Sequence, residues 1–341
     1  MNGYILVEEF RRTRSLTNFT VGTDELCLVD PVDVPLSWHR TENPRPQFRT
    51  VALPLSGMTW VAYADLPHDY DLARCFRSDL EPLPGGFLIR GCSPELTQFF
   101  AARGCETLRD GVEAVLDLQT RWWERRSVRR MAAVAQRSGV VREVPWSETA
   151  MQRLRCFADE SRYGELPQLR YLFRSQFEPG MRLFVFSAPH GAWYAALLLA
   201  PPHATTAVAE MMVRARNAPP GVMEGLFTAV GRQLQQEGMR WLSLNEVPFH
   251  HFAADLGLKE RAVGLIGRSI RWAYNAAGLL SFKAKFAPQW RSVAICGYPR
   301  LPLTALADMF IASGCMDLVQ HCLLHGVMGS LPHPFTLTDR V

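Results

Sequence analysis

Between Arg182 and Asn245 short apolar runs surround a single helical one, and that order narrows the fold more than any other stretch. Arg182–Ser187 and Trp193–Leu199 flank Pro189-His190-Gly191, which predicts a hairpin. Ala207–Val213 reads as a third strand, Gly221–Glu237 as a helix and Arg240–Asn245 as a fourth strand. Within the helix Val222, Met223, Leu226, Phe227, Val230 and Leu234 fall on one face, so that face must pack on a sheet. Helices are expected ahead of the hairpin, over Glu148–Tyr163 and Tyr171–Phe177. Strands interleaved with single helices imply an α/β unit with a mixed sheet.

The first half offers a shorter version of the same order. Phe19–Val21, Glu25–Val29, Thr50–Leu55 and Trp60–Ala64 are β-rich runs separated by turn residues. A helix is expected over Asp69–Asp79, a strand over Gly86–Gly91, a helix over Pro94–Arg103 stopped by Gly104, and a strand over Glu113–Leu118. A basic helix follows over Trp122–Arg137, closed by Ser138-Gly139, then a short strand over Val140–Val144. Near the end, Leu303–Leu324 reads as packing helices around Ser313-Gly314, with a loose tail after Gly329. A chain of 341 residues exceeds one ordinary core. Two domains are therefore expected, 1–139 and 140–341, each with the element order of a GNAT (acyl-CoA N-acyltransferase-like) core.

Bulk properties exclude several classes. With 48% apolar and 21% charged residues the composition is globular, and the longest apolar run, Ala192–Ala200, is too short for a spanning helix. Glu8 and Glu9 interrupt the amino terminus where a signal peptide needs apolar residues, so a cytoplasmic location is expected, peripheral to a membrane at most. Eight scattered cysteines without a CxxC pair predict reduced, mostly buried thiols rather than a metal site. His250 and His251 are adjacent and would point to opposite faces of a strand, so no metal is expected there. The net charge of +4 permits an anionic partner without requiring one.

Four segments carry candidate chemistry. The loop Arg214–Gly221, between a strand and a helix, is where a GNAT acyltransferase would cradle the pyrophosphate of coenzyme A. Pro219 and Pro220 remove two donor N–H groups from it, which counts against that cofactor. Ser243 and Asn245 alternate onto one face of the next strand. Lys283 and Lys285 would share a face in a strand but point about 200° apart in a helix. Arg125, Arg126, Arg129 and Arg130 are paired at helical spacing behind Trp122-Trp123, which suits RNA phosphates or anionic lipid.

The segment Tyr274–Trp290, with Lys283 and Lys285 set between Phe282 and Phe286 and closed by Pro288 and Trp290, resembles the catalytic domain of phosphatidylglycerol lysyltransferases. Those enzymes belong to the aminoacyl-tRNA-dependent transferases built on tandem GNAT folds. Glu210, Met212, Ala218-Pro219, Gly221 and Met223-Glu224 stand at corresponding places, as do Glu113-Ala114 and Asp117-Leu118 before the basic helix. The likeness spans about residues 45 to 310. Departures fall at Val213, Ser243, Ala276, Ala277 and Leu280, where the family carries basic, asparagine or aromatic residues.

The resemblance implies an aminoacyltransferase that takes charged tRNA as donor substrate, needs no separate cofactor, and delivers to a hydroxyl or amine, a phosphatidylglycerol-type lipid above all. Transfer to a soluble acceptor and acyl-CoA-dependent acylation are the alternatives. Lys283 and Lys285 would meet the terminal phosphates or the oxyanion, and Glu210 the amino group of the aminoacyl moiety. Arg214, Gly221, Ser243, Asn245, Tyr274 and Asn275 would line the substrate cleft.

Overall fold

The computed structural model describes residues 34–161, 164–201, 203–251 and 256–325. The strands expected over Phe19–Val21 and Glu25–Val29, and the tail after Gly329, lie outside them. In the first half, β1 (His39–Thr41), β2 (Gln47–Leu53), β3 (Met58–Pro67), β4 (Phe87–Cys92) and β5 (Glu106–Asp117) are joined by two short helices. These are α1 (Leu72–Cys75, continued by a π-turn over Phe76–Leu80) and α2 (Pro94–Ala101), which Ser93 caps by accepting the Leu96 N–H.

After α3 (Arg126–Gln136) come β6 (Val140–Val144), α4 (Glu148–Asp159), β7 (Arg182–Ser187), β8 (Trp193–Leu199), β9 (Thr206–Arg214), α5 (Val222–Gln236) and β10 (Trp241–Pro248). The chain ends through α6 (Leu258–Ser269), α7 (Ala276–Ala284), β11 (Gln289–Tyr298), α8 (Leu303–Ala312) and α9 (Cys315–Leu324).

All eleven strands join one mixed sheet, ordered β1-β3-β4-β11-β5-β10-β9-β8-β7-β6 with β2 beside β3. The GNAT-like order of the second half is present: β7 and β8 form the hairpin, and β9 and β10 run parallel on either side of α5 in the chain. All six apolar residues predicted to face the sheet from α5 are buried, against Phe184, Phe186, Leu197 and Leu242. Burying each removes roughly 2 kcal/mol of apolar exposure, which outweighs the cost of Gly225 and Gly231 within that helix.

The two halves exchange strands. β5 pairs antiparallel with β10 on one side and with β11 on the other, while β11 also pairs with β4. A first-half strand thus closes the second-half sheet, and a second-half strand fills the first. The pairing does not follow a division at residue 139: a cut there would take an interior strand from each side.

Three local expectations are corrected. Tyr171–Phe177 is not helical. Tyr171 has φ +64° and its ring meets Trp60 edge-on at 5.9 Å, while Arg174 reaches Asp65, so tertiary anchors draw the segment out. The basic helix starts only at Arg126, after a 3₁₀ turn over Trp122–Glu124 with Arg121 at φ +47°. Both tryptophans turn inward, and Trp122 meets Phe286 at 5.3 Å, so neither ring is available to stack on bases or enter a bilayer. The seven cysteines among the described residues are free thiols, and five are buried. No single helix among the described residues is long and apolar enough to cross a membrane.

Candidate active site

The site begins where two parallel strands part. β9 and β10 pair only over Trp241–Thr206, Leu242–Ala207 and Ser243–Val208. Past Ser243 the register of β10 against β5 shifts, and Asn245 takes φ +66°. The Asn245 amide bridges the gap by donating to the Ala209 carbonyl at 3.2 Å. Its own backbone N–H is satisfied by Ser243 Oγ at 3.0 Å, and Ser243 in turn donates to Glu113 Oε1 at 2.6 Å.

At this bulge Lys283 takes the carbonyls of both Asn245 and Glu246. Its Nζ donates to them at 3.0 and 2.8 Å from α7, whose amino end Asn275 caps by accepting the Gly278 N–H at 2.8 Å. Lys283 is only 1% exposed. Burial pushes its ammonium down to about 7, with Glu113 pulling the other way. Burial likewise pushes the Glu113 carboxyl up, against the opposing influence of Arg291, Ser243 and Lys283. A neutral amine has two N–H bonds, which two carbonyls satisfy, and its lone pair remains free to accept a proton.

Because α7 is a helix, the two lysines diverge. Lys285 lies outside the bulge and pairs at 3.1 Å with Glu224 in the first turn of α5. Gly221, just before it, has φ +78°, and a Cβ there would sit 2.1 Å from the Met131 carbonyl of α3. Glycine is required at that point for both conformation and close approach. Arg214 braces the same loop by donating to the Ala218 carbonyl at 2.9 Å.

Glu210 joins a separate buried network. One carboxylate oxygen lies 2.7 Å from His39 Nε2 and the other accepts the Arg174 backbone N–H at 3.0 Å. The Arg174 guanidinium donates to Asp65 and Glu178. Tyr274 packs edge-on to Phe249 beside Val112 and Val247, and burial pushes its phenol up to about 12. The four arginines, Arg125, Arg126, Arg129 and Arg130, are exposed on and just before α3 and face solvent.

The structure thus brings together Ser243, Asn245 and Lys283, and sets Glu210 and Lys285 in neighbouring networks. Sequence reasoning missed Glu113 as the partner of Ser243, and also Arg90, Glu246, Asp110 and Arg291. Arg90 pairs with Glu246 and donates to the Leu172 carbonyl at 3.0 Å, and Arg291 pairs with Glu95 at 2.7 Å. Burial pushes the Asp110 carboxyl up to about 6, partly offset by Arg90. The available signal was a lone charge inside an apolar strand, as in Val112-Glu113-Ala114-Val115 or Leu88-Ile89-Arg90. His39 and Arg174 gave no such signal.

Residues 65–296 match the family model for the C-terminal region of phosphatidylglycerol lysyltransferase. The chain belongs to that family. Two solved structures share the fold. L-PGS from Bacillus licheniformis aligns over 81% of this chain and 86% of its own, at 17% identity and a TM-score of 0.61. The C-terminal domain of a putative lysylphosphatidylglycerol synthetase from Agrobacterium fabrum aligns over 67% and 73%, at 22% identity and a TM-score of 0.54. No curated protein matches the chain. The family match covers β4, β5, β9, β10 and α7, and so takes in Glu113, Ser243, Asn245 and Lys283.

Proposed function

We propose that this member of the lysyltransferase family moves an aminoacyl group from a charged tRNA to a hydroxyl of a phosphatidylglycerol-type lipid. Lys283 carries the reading: a buried amine with both N–H bonds engaged and an affinity for protons near neutrality suits a general base. The acceptor hydroxyl would give its proton to Nζ as its oxygen bonds to the ester carbonyl carbon. Collapse of the resulting oxyanion breaks the bond to the tRNA ribose oxygen, which takes the proton back from Nζ. Lys285, half-exposed beside Glu224, would supply positive charge for the oxyanion. The donor ester is already activated, so positioning and proton transfer suffice.

Acyl-CoA is disfavoured as donor on this chain's own residues. The amino end of α5, where a pyrophosphate would dock, is closed by the Met131 backbone and carries the buried Glu224 carboxylate. The test is to incubate the protein with a mixture of tRNAs charged with labelled amino acids and with phosphatidylglycerol vesicles. Label should appear in a chloroform-soluble product, RNase pretreatment should abolish it, and Lys283→Met should abolish it too. Calorimetric binding of acetyl-CoA with no tRNA discharged would overturn the reading.

A further inference from the structure

Two helices near the carboxyl end turn apolar residues to solvent. α6 places Gly264 and Gly267 inward, and a Cβ at Gly267 would meet Phe249 at 2.3 Å, while Leu258, Leu265 and Ile266 face outward. Leu258 is 85% exposed. α8 is apolar on both sides: Ala305, Leu306, Met309 and Ala312 pack inward, and Leu303, Ala307 and Ile311 form an outward stripe at i, i+4 and i+8. A helix that packs only on its own protein keeps its outward face polar.

Both helices lie over one buried cluster. Val263 of α6 packs in one cluster with Leu306 and Met309 of α8, and Lys259 Nζ donates to the Leu301 carbonyl at 3.1 Å. Their outward residues thus expose apolar side chains above the same cluster, and exposed apolar surface of this kind marks an interaction site.

Charge identifies the occupant. Arg261, Arg268 and Arg271 are exposed on and just after α6, and none forms an ion pair among the described residues. Among the described residues, three nearby carboxylates are already engaged. Glu260 pairs with Arg109 at 2.7 Å, Asp308 turns inward to the Leu55 and Ser56 N–H groups, and Asp317 pairs with Arg170 at 3.0 Å. Exposed leucines flanked by arginines that form no ion pair among the described residues fit a bilayer surface bearing anionic headgroups. A second copy across a two-fold axis would set arginine against arginine, and RNA would leave the leucines unused.

We infer that the α6–α8 face docks on an anionic membrane surface, with its leucines among the acyl chains and its arginines at the phosphates. The helices lie on the surface rather than span it. Each of α8 and α9 has ten residues, about 15 Å of rise, and the two are bent by 64°. Asn275, the cap of the helix that carries Lys283, follows Arg271 by four residues, so docking would bring headgroups beside the candidate active site. In that respect the inference rests on the reading above.

The test is co-sedimentation of the full chain with phosphatidylglycerol vesicles and with phosphatidylcholine vesicles. The wild type should prefer the anionic ones, with binding that weakens as salt rises. Replacing Arg261, Arg268 and Arg271 by Gln together should lower the partition coefficient on the order of a hundredfold. A Leu258→Gln, Leu265→Gln double variant should lose binding at high salt, and both variants should melt as the wild type does. Equal binding to both lipids, unchanged binding of the variants, or a dimer that the leucine variant dissociates without affecting vesicle binding would each overturn the inference. Vesicle binding that the variants lose, in a protein that discharges no tRNA, would uphold the docking face and reject the transfer reading instead.

Discussion

Replacing Lys283 with methionine should flatten the rise in stability that its buried amine is expected to give the wild type above neutral pH. Burial brings the Lys283 ammonium from 10.5 down to about 7. Between those values the unfolded chain holds a proton that the native one does not, so native stability climbs with pH at about 1.4 kcal/mol per unit. Below pH 7 both states are protonated and the full penalty for burying the charge, about 5 kcal/mol, is present. Above 10.5 both are neutral and it is gone. Methionine fills a similar volume without charge, but it leaves the Asn245 and Glu246 carbonyls unpaired, at about 1–2 kcal/mol each. The variant should therefore match the wild type within about 2 kcal/mol at pH 7 and fall behind it as pH rises. Urea unfolding of both proteins at pH 7, 8, 9 and 10 measures this, because tyrosine and cysteine titrations are shared and cancel in the difference. That difference should grow by about 4 kcal/mol across the series. A difference that stays constant with pH would refute the argument, since it would mean the buried amine titrates as an exposed one does.

Three further outcomes are expected. Gly221→Ala must accommodate a left-handed φ and a Cβ 2.1 Å from the Met131 carbonyl, so it should lose about 3 kcal/mol; an unchanged urea midpoint would show that α3 and α5 separate freely. Glu210→Ala strands the His39 ring and the Arg174 N–H in the interior and should lose about 3 kcal/mol, whereas Glu210→Gln, which keeps the shape, should lose less. Equal losses in the two denaturation curves would mean that packing, not pairing, is what Glu210 supplies. Replacing Arg125, Arg126, Arg129 and Arg130 with Gln relieves like-charge repulsion at the amino end of α3, so stability should hold or rise. The slope of log K for tRNA against log salt should shrink by about 3, and an unaltered slope would dismiss that helix as the RNA contact.

Local pattern made the second half readable. The apolar face of α5, the hairpin at Pro189-His190-Gly191 and the strands on either side are set by spacing within a few residues, and the structure keeps all of them. The same logic fixed that, on a helix, only one of Lys283 and Lys285 could point inward. It failed over Tyr171–Phe177, whose residues are compatible with a helix but are held by Trp60, Asp65 and Glu210. β11 and α6 went unread, and β11 is the strand that ties the halves together.

What the chain could not state in one dimension is adjacency. His39 meets Glu210 across 171 positions and Ser243 meets Glu113 across 130, and no local rule records either pair. The sequence decided which segments are helix or strand, because backbone periodicity is a property of neighbours. The tertiary structure decided which lysine is stripped of water and held by two bulge carbonyls. Desolvation depends on everything packed around a group, and so it exists only once the sheet has closed.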